Sequence, residues 1–232
     1  AKYGDTIYSH SADSLWVNLF IASELNWKEK GIVVRQETKF PESDTTVLHI
    51  KTAKPQTFAL KVRHPAWAVN GVSVSVNGRK HEIQTRPGSY FTVQREWRDG
   101  DKIEIRMAMG LHAEFLPQSS NEVALLYGPI VLAGELGTNA MPYPFARTQT
   151  EFNRLPVPAA PVFVISAADL LAHVKPVAGQ PQTFRTEGIG QPKDVTLVPF
   201  YRVHRERYSV YWTLMSPAEW QARANEIAVE EA

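Results

Sequence analysis

The strongest constraint on this chain is a hydrophobic pattern with a period of two that runs from residue 6 to about residue 135. Phe58, Leu60 and Val62 alternate with Ala59, Lys61 and Arg63; Val72, Val74 and Val76 alternate with Ser73 and Ser75; Ile103, Ile105 and Met107 alternate with Lys102, Glu104 and Arg106. Successive side chains point to opposite faces of a strand, so this pattern fits sheets and not helices. Ile32, Val34 and Gln36 are set against Val33, Arg35 and Glu37, which predicts a strand with one wet face. In Ser14 to Phe20 apolar groups fall on both sides, as for a strand covered on two faces. Thr6 to His10 also reads as strand.

Turn signals recur about every 8–12 residues. Asn77-Gly78 and Asp99-Gly100 are expected to supply the paired positive-φ residues of type I′ hairpins, and Pro87-Gly88 breaks the chain before Tyr90–Val93. Short strands at this spacing predict a β-sandwich or barrel. After Glu135 the composition changes. Gly137, Asn139, Pro142, Pro144, Pro156, Pro158 and Pro161 disfavour regular structure, so residues 136–160 read as a Pro-rich ordered loop or linker.

Strand character returns at Val162–Ile165, Thr183–Thr186, Thr196–Val198 and Tyr208–Leu214, and Ser166 to Leu171 reads as a capped short helix. The best helix is last. Ser216 serves as its cap, Pro217 takes the first helical position and Glu219 completes a capping box, followed by a narrow apolar stripe of Trp220, Ala224 and Ile227. The expected architecture is mainly β, with two β-sandwich-type domains and a short C-terminal helix. Their expected spans are residues 1–135 and 161–232, with strands free to exchange between the two; Leu15–Phe20 could pair with Tyr208–Leu214.

A chain of 232 residues with 44% apolar content buries about 70% of its extended surface and needs no disulfide or structural metal to hold a core. Its net charge of +1 argues against nucleic acid as the main partner, and no apolar run approaches the roughly 20 residues of a membrane span. There is no cysteine, which removes thiol nucleophiles, disulfides and every cysteine-containing zinc site. The chain opens Ala-Lys-Tyr-Gly-Asp, with neither an initiator Met nor a signal-peptide pattern, and is expected to be an excised piece of a longer protein.

Few motifs carry chemistry. His10, His49, His64, His81, His112, His173 and His204 show no metal-binding spacing and read as solvent-facing strand residues. Gly128-Pro129 and Gly134 to Gly137 make no phosphate loop, and no G-x-S-x-G elbow occurs. Glu96, Asp99 and Asp101 read as solvated turn and edge charges, and a self-contained hydrolase using a carboxylate pair is a separate reading for which the sequence singles out no pair. The run Arg202 to Arg207 reads as a solvated connection or a partner for an acidic surface. Six Trp and eight Tyr could stack on sugar rings, and Trp67 and Trp97 are the candidate glycan contacts. Burial between sheets is the default for the same indoles.

Several stretches together resemble one family. Tyr8 to Phe20, Ser23-Glu-Leu-Asn-Trp27, Val34 to Pro41, Arg63-His-Pro-Ala-Trp67, Trp97-Arg-Asp-Gly-Asp101, Ala124 to Gly134 and Val198 to Trp212 are similar to the region after the catalytic barrel in bacterial β-L-arabinofuranosidase-like glycoside hydrolases. The resemblance implies a parent enzyme acting on plant-type arabinose-containing glycans. In it an N-terminal (α/α)6 barrel bears a cysteine nucleophile on zinc, held by further cysteines and a glutamate. With no cysteine, this chain receives none of those catalytic or metal residues. It is expected to lack the barrel, to bind no cofactor, to be inactive alone, and to act as an accessory region partnered with an upstream barrel of the same polypeptide. An independent carbohydrate-binding module is the alternative. The surface that meets the barrel is expected to appear as an exposed apolar patch.

Overall fold

The computed structural model describes residues 3–138 and 159–230. The chain divides into two compact units, Ala1–Gly110 and Leu111–Ala232. Among the described residues the chain is mainly β, with one long helix at its C-terminal end.

After a helical turn α1 (Tyr3–Thr6), the first unit builds two sheets from β1 (Tyr8–His10), β2 (Ser14–Val17), β3 (Ser23–Trp27), β4 (Ile32–Thr38), β5 (Thr45–Thr52), β6 (Gln56–His64), β7 (Val72–Val76), β8 (Arg79–His81), β9 (Ser89–Trp97) and β10 (Lys102–Met107). One sheet has the order β1-β2-β6-β9 and the other β3-β4-β5-β10-β7-β8. Their inner faces share one core, with Leu15, Phe58, Leu60 and Phe91 from the first and Ile32, Leu48, Ile103 and Ile105 from the second. The alternation read from the sequence holds: Ile32, Val34 and Gln36 are all buried, while Arg35 is exposed.

Asn77 and Gly78 both have positive φ and join β7 to β8 as a hairpin. Asp99-Gly100 does not do the same. Only Gly100 is left-handed there, and β9 and β10 lie in different sheets, so this turn carries the chain across the sandwich. The acidic residues beside it are also not simply solvated. Asp101 is only 6% exposed and accepts hydrogen bonds from Asn77 Nδ2 (2.7 Å) and the Arg98 N–H (2.9 Å), while Asp99 accepts one from the Thr52 N–H (3.0 Å). Glu96 remains at the surface, with the Arg98 guanidinium 2.9 Å away.

The second unit comprises β11 (Leu111–Phe115), β12 (Glu122–Tyr127), β13 (Ile130–Glu135), β14 (Val162–Val164), β15 (Val174–Pro176), β16 (Phe184–Thr186), β17 (Gly190–Gln191), β18 (Thr196–Pro199), β19 (Tyr208–Ser209), β20 (Tyr211–Met215) and helix α2 (Pro217–Glu230). The division at Gly110 differs from the expected boundary at 135 for a topological reason. β12 pairs with β20, and β13 pairs with β18 and β19, so residues 111–135 belong with the late strands. Leu15–Phe20 does not join them: β2 pairs with β1 and β6. A separate core of Val123, Leu125, Leu132, Phe163, Leu197 and Trp212 fills this unit. The Pro-rich stretch read at 136–160 falls mostly on residues 139–158, outside the described residues.

The capping box at the last helix forms as read. The Glu219 N–H donates to Ser216 Oγ (3.3 Å), and the Ser216 N–H donates to Glu219 Oε2 (2.7 Å). Trp220 and Ala224 are half-buried, while Ile227 is 39% exposed, so the stripe is covered best in its first turns. No described helix is long and apolar enough to cross a membrane.

Candidate functional site

The two aromatic candidates from the sequence part company. Trp97 has 0% exposure; its indole N–H donates to the Phe58 carbonyl (3.0 Å), its ring lies 5.6 Å from Phe58, and it offers no face to a sugar. It sits at the end of β9 on the same side as Phe91 and Val93, where alternation points it inward. Trp67 is half-buried and stacks on Phe40 with ring centroids 6.0 Å apart. One ring face is therefore already occupied by the protein.

His64 corrects the reading of the histidines as solvent-facing. It is 2% exposed, with Nε2 2.9 Å from the Ala68 carbonyl and Nδ1 3.0 Å from Thr85 Oγ1. A carbonyl only accepts, so Nε2 carries the hydrogen in that bond. The imidazole fastens the Pro65–Gly71 loop to β6, which is a structural task.

A more open arrangement lies on the outer face of the four-stranded sheet. Leu15 and Val17 are fully buried, so Trp16 between them must project to the other side. Across the sheet its neighbours are Ser9 on β1 and Lys61 on β6. The Lys61 ammonium stands 4.5 Å from the centre of the Trp16 ring, a cation–π contact. Just beyond β2, Asn18 Nδ2 donates to the Thr6 carbonyl and to Ser9 Oγ, both at 3.2 Å. Asn18 Oδ1 accepts from the Tyr90 hydroxyl at 2.8 Å. Tyr90 itself is 44% exposed.

Ser9, His10, Ser11, Trp16, Asn18 and Tyr90 line a shallow groove of about 460 Å³. At its rim the turn between β1 and β2 holds Asp13, whose Oδ1 accepts from Ser11 Oγ (3.0 Å) and Ser14 Oγ (3.2 Å). Those two hydroxyls, with a smaller contribution from the Lys61 charge, keep the Asp13 carboxyl below the usual aspartate range. The sequence reading gives burial as the default for Trp16, as for the other indoles. The signal that would have found it is its place between two inward-facing residues, next to a strand whose matching position is Lys61.

The second unit carries an exposed aromatic patch. Phe200, Tyr201 and Tyr208 are all more than 40% exposed, and the rings of Phe200 and Tyr208 meet at 5.1 Å. The Arg202 guanidinium lies 5.5 Å from the Tyr201 ring and donates to the Pro181 carbonyl (3.0 Å) and Gln182 Oε1 (2.9 Å). Arg207 Nη2 donates to the Leu136 carbonyl (3.0 Å). These two cations are spent largely on the chain's own carbonyls, which differs from a free basic run.

The residues present do not suit a thiolate-held zinc. The chain has no cysteine, and among the described residues no three His, Asp or Glu side chains cluster as a metal site would require. What the groove does offer is hydroxyls and aromatic rings, held in place by the Asn18 amide, which serve binding.

Comparison with known proteins gives the fold a family setting. Residues 14–109 match the model of the β-L-arabinofuranosidase GH127 middle domain, and residues 112–214 match a domain family of unknown function, DUF4986. No curated protein matches. Among solved structures, a GH127 β-L-arabinofuranosidase from Geobacillus stearothermophilus T6 is similar at a TM-score of 0.62 and 21% identity, covering 91% of this chain and 35% of that one. A GH127 β-arabinofuranosidase is similar at 0.60 and 22%, covering 90% of this chain and 36% of that one. A third structure, described as a glycoside hydrolase, gives 0.59 and 21%, covering 89% of this chain and 37% of that one. The chain thus spans little more than a third of the length of the structures it matches.

Proposed function

We propose that the chain, whose residues 14–109 match the model of the GH127 β-L-arabinofuranosidase middle domain, is a non-catalytic accessory region of a GH127-like glycoside hydrolase, supporting a catalytic barrel. The observation that carries the reading is the pairing of this family match with a sequence that has no cysteine. A thiolate nucleophile needs a cysteine, and no hydroxyl or carboxylate here substitutes for one held by a metal.

The Phe200–Tyr208 patch is the surface assigned to the barrel. Paired aromatic rings left in water are costly to solvate, and aromatics concentrate at the centres of protein interfaces. The test is hydrogen exchange on the 232-residue chain and on a polypeptide extended to include a barrel. Slower exchange across residues 200–208 in the longer protein is expected. Equal rates in the two would count against this assignment.

A further inference from the structure

The groove beside Trp16 has no task in the accessory reading, yet it is built with some care. Alternation along β2 puts an indole on the outer side of a sheet, where polar side chains would serve solubility better. Tyr90, 72 residues away from Asn18 in sequence, is held over the same face through its hydroxyl. Asn18 uses both amide hydrogens and its oxygen within the fold, on Thr6, Ser9 and Tyr90, so its side chain is locked in one orientation. Ser9 Oγ accepts from Asn18, which leaves its own hydrogen to donate, and Ser11 Oγ donates to Asp13, which leaves its lone pairs to accept. Aromatic rings and directed hydroxyls therefore sit side by side before any ligand arrives.

We propose that this groove, formed by Trp16, Tyr90, Asn18, Ser9, Ser11 and His10, is a binding site for a neutral oligosaccharide. A sugar ring presents a face of C–H groups that packs on an aromatic ring and a rim of hydroxyls that both donate and accept. The groove matches both halves. Its volume of about 460 Å³ falls within the range of small-molecule sites. Its lining argues for neutrality: no Lys, Arg, Asp or Glu is among the six residues, and the charges beside it, the Lys61 ammonium over one face of the Trp16 ring and the Asp13 carboxylate that Ser11 donates to, are of opposite sign. Pre-set side chains lower the ordering cost of binding, so an open groove can still hold a ligand weakly and specifically.

The site does not depend on the accessory reading; only the choice of arabinose-containing probes does. The experiment is calorimetric titration of the 232-residue chain with arabino-, xylo- and cello-oligosaccharides of three to five residues. Saturable binding of at least one series is expected. Trp16→Ala and Tyr90→Ala are each expected to weaken it by at least ~10-fold, as for anchoring aromatics, with Trp67→Ala leaving it unchanged. Tyr90→Phe keeps the ring but loses the bond to Asn18, and is expected to weaken binding by only ~3-fold. Should the alanine variants not fold, the indole N–H resonance of Trp16, assigned with Trp16→Phe, is expected to shift on titration of the unaltered chain. No saturable binding of any series would overturn the proposal, as would binding that Trp16 and Tyr90 do not influence or an unmoved Trp16 resonance. Xylo- or cello-oligosaccharide binding without arabino-oligosaccharide binding would support the site while counting against arabinose specificity.

Discussion

Asn77 Nδ2 donates to Asp101 Oδ1 at 2.7 Å, and Asn77 Oδ1 in turn accepts from the Lys102 N–H at 2.8 Å. One side chain of the β7–β8 hairpin is thereby tied to the turn that carries the chain from one sheet of the first unit to the other. Replacing Asp101 by Ala leaves both Asn77 Nδ2 and the Arg98 N–H without this acceptor. The expected cost is about 2–4 kcal/mol in urea unfolding. A double-mutant cycle with Asn77→Ala is expected to show a coupling of about 1 kcal/mol or more, and strict additivity would remove the proposed link.

Two tryptophans close together in type are predicted to behave in opposite ways. Trp97→Ala opens a cavity beside Phe58 and orphans its carbonyl, with an expected loss of about 3–5 kcal/mol. Trp16→Ala removes an outward ring and is expected to cost less than about 1 kcal/mol. Denaturant midpoints of the two variants provide the comparison.

In the second unit, Gly134 is fixed by close approach and not by backbone angle. A Cβ there would run into the Trp212 ring and Val195 Cγ1. Gly134→Ala is therefore expected to destabilise the unit by about 1–3 kcal/mol through overpacking, measurable as a lower melting temperature. Recovery of stability in a Gly134→Ala, Val195→Ala double variant would locate the clash.

Asp194 organises the loop before β18. Burial alone would raise its pKa, but hydrogen bonds from the N–H groups of Gly188 and Gly190, the Thr186 hydroxyl and the Ile189 N–H together outweigh it and lower the carboxyl below its ordinary range. A lowered folded-state pKa means that the unfolded chain takes up the proton first as pH falls. The stabilisation is thus complete above the ordinary aspartate value of about 3.9 and is lost as pH drops through the lower folded value. Asp194→Asn is expected to be less stable than the unaltered chain at pH 7, with the gap narrowing below pH 4. A gap independent of pH would contradict the assignment.

The features legible in the sequence were those set by neighbouring residues. Alternation placed Ile32, Val34 and Gln36 inward, Asn77-Gly78 formed its hairpin, and Ser216 and Glu219 formed their capping box. Features decided by distant partners were not legible. Asp99-Gly100 looks the same whether β9 and β10 pair or separate, and only the pairing of β9 with β6 decides it. The unit boundary lies at Gly110 because β12 pairs with β20 about 90 residues later and β13 pairs with β18 about 65 residues later. The groove is not legible in the sequence because Trp16 and Tyr90 come from strands that each pair with β6 and not with each other, and the turn beside Trp97 makes an indole look displayed that lies in phase with Phe91 and Val93.

The account rests on this chain being an accessory region without its own hydrolytic centre. The most direct measurement is release of the chromophore from an aryl β-L-arabinofuranoside by the purified 232-residue chain, beside a polypeptide extended to include a barrel. The account predicts no release above the buffer blank for the shorter chain and turnover by the longer one. Turnover by the 232-residue chain alone would contradict it.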